Sequence, residues 1–219
     1  MKKIRYAVVG LGHISQVALL PAFKNAHNSV LAALISDDDK KRKELAKRFR
    51  LSPESTYSYE EYDECLKSGE IDAVYVGLPN HLHCEYTVRA ARAGVHVLCE
   101  KPMAVTEKEC EQMTTACQKA GTKLMIAYRL HFEQANLEAV KIATSGQIGD
   151  LRIFSSTFSQ QVDADNIGRP NLNPAAEEVC TTWACIASMR RDTSFGMNRS
   201  RCWQPPPVTA RADSVRARR

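Results

Sequence analysis

Short apolar runs that alternate with amphipathic stretches are the feature that most constrains how this chain can fold. Five runs, rich in Val, Ile, Leu and Ala, lie at 4–10, 30–36, 71–79, 95–100 and 123–128. Strands of this composition are typical of parallel sheets that are buried on both faces. Stretches of helical periodicity lie between them, at 13–26, 39–49, 58–68, 81–93 and 106–120. The alternation predicts an α/β fold with a doubly wound parallel sheet and right-handed crossovers.

Helix-end signals support these boundaries. The segment Thr106-Glu107-Lys108-Glu109 has the spacing of a capping box. Gly94 and Gly121 follow two of the stretches, where glycine commonly ends a helix. A sixth helix, about 132–145, leads to 151–160, whose alternation and serines suit a sheet with one exposed face. We expect a second domain, of the α+β class, to begin in this region.

Composition and charge restrict the classes of function. The 219 residues carry a formal net charge of +5, but most of the excess lies in the arginine-rich residues 174–219, so the rest has no basic stripe for a nucleic acid. No run approaches the roughly 18 apolar residues of a membrane span, and the start MKKIRYAVVG lacks a signal peptide's apolar core. The eight cysteines form no C-x-x-C pair. We therefore expect a cytoplasmic protein with reduced thiols, and neither nucleic acid nor membrane as a partner.

The motif VVGLGHIS places two glycines directly after the first strand, where the next helix opens. Gly10 permits the tight turn, and Gly12 lets the backbone approach a pyrophosphate at the helix N-terminus. The small Ser15 stands where a third glycine or alanine is usual. This position in a β-α-β-α series predicts a dinucleotide site of the Rossmann type. The site would also include Leu11, His13 and Ile14, with His13 near the phosphates and without an acid–base role.

The end of the second strand bears on the choice of coenzyme. Asp37 would accept the ribose hydroxyls of NAD and repel the extra phosphate of NADP. Ser36 and Lys41, by contrast, offer a hydroxyl and an ammonium that would hold a 2′-phosphate. Acids followed by bases also suit a solvated helix start. The residues leave NADP and NAD both open.

The fourth strand ends abruptly in the charged segment Glu100-Lys101-Pro102. Ligands of α/β sheets bind beyond the carboxyl ends of the strands, so this segment would project into the same crevice as the glycine turn. The alternative is an ordinary salt bridge at the end of a strand.

Taken together, these segments resemble the Gfo/Idh/MocA oxidoreductases, in particular their glucose–fructose oxidoreductase-like members. The similar motifs are VVGLGHIS, IDAVYVGLPNHLH, AGVHVLCEKPMA, KLMIAYRLHF and GQIGDLRIF, in the family's order, over residues 1 to about 173. The resemblance implies that Lys101 hydrogen-bonds the substrate hydroxyl that loses its proton during hydride transfer. An ammonium suits that role because it stabilises alkoxide charge and relays the proton. Glu100 would hold the amine or line the nicotinamide site.

The resemblance also implies further contacts with the coenzyme. Leu78, Pro79 and Asn80 would lie against the nucleotide, and His83 would start the next helix near it. Arg129, after the fifth strand, would lie near the nicotinamide or the substrate. We expect no metal, because the His81-x-His83 spacing has no third ligand nearby. The substrate would be a sugar or polyol, and full-length members would form homo-oligomers.

After about residue 173 the resemblance ends. The family would continue with a glycine run and D-x-G-x-[HY], whose last residue is the expected acid–base partner of the lysine. Here lysine is absent after Lys141 and arginine becomes abundant. We therefore expect a dinucleotide-binding domain at 1–130, the start of a C-terminal substrate and oligomerisation domain at 131–173, and an aberrant or disordered tail at 174–219.

Reading each codon from its third base into the next codon recovers part of the missing pattern. Trp183 into Ala184 must then encode glycine, and Cys185 into Ile186 must encode tyrosine or histidine. We therefore expect a one-base shift near Pro174 in the coding sequence. The alternatives are a divergent second domain and a disordered basic tail that binds RNA or acidic surfaces.

These patterns predict an NAD(P)-dependent sugar oxidoreductase represented by its coenzyme domain and an incomplete C-terminal domain. We expect coenzyme binding with little turnover, because the substrate wall and the partner of Lys101 would be missing. The alternative function is a non-enzymatic NAD(P)-binding sensor or interaction protein, which would use the glycine turn without Lys101.

Overall fold

The computed structural model of the protein describes residues 2–149. The predicted continuation at 151–160 and the tail at 174–219 lie outside the described residues.

One parallel sheet forms the centre of the fold. Its strands are β1 (Ile4–Val9), β2 (Ser29–Ile35), β3 (Thr56–Tyr57), β4 (Ala73–Val76), β5 (His96–Cys99) and β6 (Leu124–Ile126). Their spatial order is β3-β2-β1-β4-β5-β6, with every neighbouring pair parallel. The order reverses between β1 and β4, which is where α/β sheets of this kind bind nucleotides. The predicted doubly wound sheet is therefore confirmed.

Helices connect the strands. They are a π-helical turn Ser15–Leu19 that continues into α1 (Leu20–Ala22), then α2 (Asp39–Phe49), α3 (Tyr62–Lys67), α4 (His83–Arg92), α5 (Glu107–Ala120) and α6 (Gln134–Thr144). Short 3-10 turns occur at Pro53–Ser55, Asn80–Leu82 and Arg129–Phe132. Within residues 2–149 no helix combines the length and the apolar character that crossing a membrane requires.

The predicted helix ends at α5 and after α4 are confirmed. The Thr106 hydroxyl accepts from the backbone N–H of Glu109, while the Glu109 carboxylate accepts from that of Thr106 at 2.9 Å. Gly121 ends α5 with φ +69°, and Gly94 follows α4 with φ +78°.

The first helix is shorter than the predicted 13–26, and Pro21 interrupts its regular hydrogen bonding. Proline has no N–H, and its ring clashes with the carbonyl four residues earlier, which here belongs to Val17. The chain widens instead, and the N–H of Leu20 donates to the Ser15 carbonyl, five residues back. Helical conformation ends at Ala22.

The strand β3 was not predicted. It contains only Thr56 and Tyr57, which pair with Leu34 and Ile35 of β2. Two residues carry no periodicity, so nothing in the residue pattern marks this strand.

Both faces of the central strands are buried, as expected for a parallel sheet. Val8 faces a cluster with Leu20 and Leu34, whereas its neighbour Val9 faces a larger cluster with Val76 and other residues of β4, α4 and α5. Full burial of side chains such as these stabilises a fold by about 1.5–3 kcal/mol each. The rigid sheet therefore fixes the positions of the loops at its carboxyl edge.

Candidate functional site

The turn after β1 and the end of β4 cross in close backbone contact. Gly10 has φ +88°, and a methyl group there would collide with the carbonyl oxygen of Gly77 and lie 2.8 Å from its carbonyl carbon. A methyl group on Gly77 would in turn lie 2.8 Å from the Tyr75 ring and 3.0 Å from the Ser15 hydroxyl. The crossing therefore requires glycine on both strands. Gly77 was not singled out from the sequence, and its only signal is a glycine that ends an apolar run.

Gly12 differs from Gly10, because a methyl group added to it would meet nothing within 4 Å. The open space lies at the start of the helical segment, whose first amides have no carbonyl partner within the helix. Such a space suits a pyrophosphate, which bare backbone can approach closely. Ser15 is fully buried and donates to the Gly10 carbonyl at 2.6 Å, which fixes the turn beneath this space.

The other three predicted turn residues divide between core and surface. The Leu11 side chain is 2% exposed and packs in the core, so only its backbone faces the turn. His13 and Ile14 are exposed. The residues around the open space thus fit a bound dinucleotide mainly through main-chain groups.

The carboxyl end of β2 is fixed by the short strand β3. Ser36 is 6% exposed, and its N–H donates to the Tyr57 carbonyl at 3.0 Å. The Asp37 carboxylate accepts from the N–H of Tyr59 at 2.8 Å. The phenol of Tyr59 interacts with Ser36, and burial raises the pKa of Tyr59 above its usual value.

Lys41 lies on the first turn of α2, close to this end. Asp38 caps the helix by accepting from the Lys41 N–H at 2.9 Å, and its other oxygen pairs with the Lys41 ammonium at 3.0 Å. The hydrogen bond from the Lys41 N–H is the main reason why the pKa of Asp38 is lowered.

Sequence reasoning missed a second cation at this end, Arg42. Its guanidinium donates to the Ser36 carbonyl and to Asp39, and its side chain is only 13% exposed. Its Nε is buried and makes no hydrogen bond among the described residues. Arg42 therefore contacts the backbone of Ser36, at a position that only the tertiary fold reveals.

The segment Glu100-Lys101-Pro102 follows β5 at the same edge of the sheet. One oxygen of Glu100 accepts from the Tyr75 hydroxyl at 2.6 Å, and the other accepts from the Lys101 N–H at 3.1 Å. The Lys101 side chain is exposed, and no carboxylate within residues 2–149 forms an ion pair with it. Burial, followed by the neighbouring Glu100, raises the pKa of Tyr75 far above its usual value. Glu100 thus contacts Lys101 through the backbone rather than through the amine.

The loop after β4 holds the next group of predicted residues. Leu78 is 7% exposed and belongs to the core, Pro79 is exposed, and Asn80 begins a 3-10 turn. His83 is fully buried, with Nδ1 2.8 Å from the Pro102 carbonyl oxygen and Nε2 2.8 Å from that of Leu78. Its ring therefore lies beneath the two loops, with no exposed surface to offer a coenzyme.

Two further points concern possible ligands. His81 is exposed whereas His83 is buried, and the described part of the chain contains no group of three metal-ligating side chains that could hold an ion. Arg129 is exposed and begins the 3-10 turn after β6, beside an apolar depression lined by Met125, Ile126, Tyr128 and Phe132.

The strand order places these groups along one edge of the sheet. From β2 to β6 they are Ser36, the Gly10–Gly12 turn, Leu78, Lys101 and Arg129. Neighbouring strands lie about 4.8 Å apart, so the strands that lead to Ser36 and Lys101 are separated by about 14 Å across three strand intervals. The arrangement can hold an extended dinucleotide with the glycine turn at its middle and Lys101 near one end.

Comparison with known proteins agrees with this geometry. The sequence model of the Gfo/Idh/MocA family, an oxidoreductase family with an NAD-binding Rossmann fold, matches residues 4–128. That range contains every predicted site residue except Arg129, which follows it directly.

Curated relatives of known activity include two sugar enzymes. The chain is 34% identical to the NADP⁺-dependent D-xylose 1-dehydrogenase of Haloarcula marismortui, over 73% of this chain and 44% of the relative. It is 30% identical to dTDP-3,4-didehydro-2,6-dideoxy-α-D-glucose 3-reductase of Streptomyces violaceoruber, over 73% and 45%. The chain thus spans less than half the length of these relatives.

Solved structures give the same result. Aldose–aldose oxidoreductase from Caulobacter crescentus, complexed with glycerol, is 45% identical with a TM-score of 0.64, over 66% of this chain and 43% of that one. The 3-ketoreductase of Actinomadura kijaniata, with TDP-benzene and NADP, is 30% identical with a TM-score of 0.61, over 68% and 46%. The predicted fold, family and NAD(P) coenzyme class are confirmed: the chain belongs to the Gfo/Idh/MocA oxidoreductase family, with its NAD-binding Rossmann fold.

Proposed function

We propose that residues 2–149 form the coenzyme side of an NADP-dependent oxidoreductase that acts on a hydroxyl or carbonyl group of a sugar or polyol. The observation that carries the proposal is the position of Lys101. This exposed amine has no carboxylate partner among the described residues, and it lies on the same sheet edge as the open space above Gly12.

The chemistry divides between coenzyme and protein. When bound, the nicotinamide ring supplies or accepts the hydride. The open turn at Gly12 and the first amides of the helical segment hold the pyrophosphate. In the oxidation direction, the Lys101 amine takes the proton from the substrate hydroxyl while the hydride leaves the adjoining carbon. In the reduction direction, the ammonium returns the proton to the oxygen and stabilises the charge that develops there.

Three groups near the end of β2 favour NADP over NAD. They are the Ser36 hydroxyl, the Tyr59 phenol and the Lys41 ammonium. The Tyr59 N–H donates to Asp37, next to Ser36. The Ser36 hydroxyl accepts from the N–H of Asp38, which caps the helix that carries Lys41. A 2′-phosphate accepts hydrogen bonds from groups of this kind. The Asp37 carboxylate, which would bind the ribose hydroxyls of NAD, already accepts a hydrogen bond from the Tyr59 N–H. The NADP named in the dehydrogenase and ketoreductase relatives gives further support.

The sugar substrate class rests on the relatives, because aldoses, xylose and a deoxysugar nucleotide appear in their names. The described residues supply one acid–base group and no enclosing substrate wall, so we expect low turnover from the chain alone. The domain limits 1–130, 131–173 and 174–219, and homo-oligomerisation through the C-terminal domain, are part of the same proposal. So is a cytoplasmic location, which the free thiols of Cys65, Cys84, Cys99, Cys110 and Cys117 suit.

Calorimetry followed by activity assays tests the proposal. We expect the full chain to bind NADPH more tightly than NADH, and any turnover on a panel of aldoses and polyols to fall by about a hundredfold or more in Lys101→Ala. Lys108→Ala, which removes another exposed lysine, is the matched control. Absence of heat with either coenzyme, or full activity of Lys101→Ala, contradicts the proposal.

A further inference from the structure

The backbone on both sides of Lys101 is tied to buried side chains of β4 and α4. On one side the Glu100 carboxylate accepts a hydrogen bond from the Tyr75 hydroxyl. On the other side the Pro102 carbonyl oxygen lies 2.8 Å from Nδ1 of His83. Tyr75 is 2% exposed and His83 is 0% exposed, whereas the Lys101 side chain that they flank is exposed. The exposed Lys101 side chain thus projects from a backbone that contacts the core on both sides.

The Tyr75 attachment reaches Lys101 through Glu100. The phenol donates to one Glu100 oxygen at 2.6 Å, and the other oxygen accepts from the Lys101 N–H at 3.1 Å. Hydrogen bonds to a carboxylate are stronger than those between neutral groups. The ring itself is packed beneath Gly77 and among core residues, so the phenol has a fixed origin.

The His83 attachment acts on the other side. Its Nδ1 lies 2.8 Å from the Pro102 carbonyl oxygen, and its Nε2 lies 2.8 Å from that of Leu78. Both carbonyls can only accept, whereas a neutral imidazole has one N–H. A neutral ring therefore donates to only one of the two carbonyls, and substitutions of His83 can show which of the two contacts matters for Lys101.

We propose that Tyr75 and His83 are positioning residues for Lys101, with Tyr75 acting through Glu100 and His83 through the Pro102 carbonyl. This inference rests on the proposed function, because the position of the amine matters only if Lys101 relays a proton. A misplacement of about 1 Å can reduce catalysis by about a hundredfold. The two side chains would thus let the core determine where the amine meets the substrate.

Nuclear magnetic resonance of the full chain, labelled with ¹³C-lysine, tests the proposal directly. The ε-methylene signal of Lys101 is assigned with Lys101→Arg and followed at saturating NADP⁺. In the wild type we expect a coenzyme-dependent shift, because the proposed function places the nicotinamide ring near the amine. In Tyr75→Phe we expect roughly half of that shift or less, together with about tenfold faster amide exchange at Lys101 without coenzyme, because Glu100 loses its buried partner.

Two sets of variants make the test specific. Tyr62→Phe removes another buried phenol, which donates to the Tyr86 carbonyl at 3.1 Å, and it should leave the Lys101 signal and exchange rate unchanged. His83→Asn places an amide nitrogen near the Nδ1 position, and His83→Gln places one near Nε2. We expect Asn, and not Gln, to keep the Lys101 response near the wild-type value.

The outcomes separate the inference from the function on which it rests. A wild-type Lys101 ε-methylene signal whose chemical shift does not change with NADP⁺ overturns the proposed function. A wild-type signal that responds, with Tyr75→Phe indistinguishable from Tyr62→Phe, overturns the positioning role of Tyr75. Retention of the response by His83→Gln and its loss in His83→Asn overturns the role assigned to the Pro102 contact.

Discussion

The two edges of the central sheet use charged groups in opposite ways. At the amino edge, Arg5 and Asp72 bind each other. The Arg5 guanidinium donates to both carboxylate oxygens, at 3.0 and 2.9 Å, and the backbone N–H of Arg5 donates a third hydrogen bond to the same carboxylate at 2.8 Å. At the carboxyl edge, Glu100 is satisfied by Tyr75 and a backbone N–H, and no carboxylate among the described residues pairs with the Lys101 ammonium.

The charged groups of the amino edge stabilise the fold, whereas those of the carboxyl edge suit the proposed function. The Arg5–Asp72 pair joins β1 to the start of β4, and each of the two charges has the other as its partner. At the other edge, the acid is occupied and the base stays available, which is what proton relay requires. Each edge therefore predicts a different response to substitution.

The largest expected effect is at the glycine crossing of the carboxyl edge. Gly10→Ala should lower the free energy of unfolding by about 3 kcal/mol or more, because its methyl group overlaps the Gly77 backbone. The left-handed φ of +88° adds strain of about 1–2 kcal/mol. Urea unfolding measures the loss.

Gly12→Ala is the matched control for that effect. Its methyl group enters open space, so the free energy of unfolding should change by less than about 1 kcal/mol. Coenzyme affinity should nevertheless fall by about tenfold, because the methyl group enters the space proposed for the pyrophosphate. Equal destabilisation by both substitutions would show that the crossing is not the constraint.

A smaller effect is expected at the amino edge. Asp72→Asn should reduce the free energy of unfolding by about 1–2 kcal/mol, because hydrogen bonds to a charged partner are weakened. Both side chains are partly exposed, which limits the loss. NADPH affinity should not change, since the pair lies at the edge opposite to the site. A large loss of affinity would mean that the two edges are not independent.

The same pair gives a pH dependence of known sign. Its hydrogen bonds with Arg5 hold the pKa of Asp72 well below its usual value. An unfolded aspartate has a pKa of about 3.9, so the pair stabilises the fold fully above that pH and less as pH falls below it. Between about pH 5 and pH 2, the wild type should therefore lose stability more steeply than Asp72→Asn. Parallel acid-unfolding curves for the two proteins would contradict this assignment.

The parts of the fold that follow from local pattern were predictable. Runs buried on both faces marked five strands, and the carboxyl ends of parallel strands brought Gly10, Ser36 and Lys101 to one edge. The short strand β3 and the early end of the first helix were missed. A two-residue strand has no period, and the helical periodicity of 13–26 continues beyond Ala22, where the helix ends.

The supports of the site could not be predicted in the same way. Tyr75 and His83 occupy ordinary core positions in the sequence, and their bonds depend on loops that meet only in the folded chain. In the sequence, Arg42 is one of several basic residues in a charged helix, yet the fold largely buries its side chain against the Ser36 carbonyl. Residue types at strand ends predict which chemistry is present, whereas tertiary packing decides which group is held and which is free.

The smallest expected effect concerns the choice of coenzyme at the exposed end of the carboxyl edge. Lys41 is 39% exposed and pairs with Asp38, so its removal should leave the stability of the fold within about 0.5 kcal/mol of the wild type. If Lys41 holds the 2′-phosphate, Lys41→Ala should weaken NADPH binding by about fivefold to tenfold and leave NADH binding unchanged. Lys43→Ala removes a neighbouring ammonium that pairs with Asp39 at 2.6 Å and is 74% exposed, so it should alter neither affinity. Calorimetric titration of both variants with both coenzymes makes the comparison. Equal weakening of NADPH and NADH by Lys41→Ala would assign the lysine to general attraction of phosphates, and the preference for NADP would then have to come from Ser36, Tyr59 or Arg42.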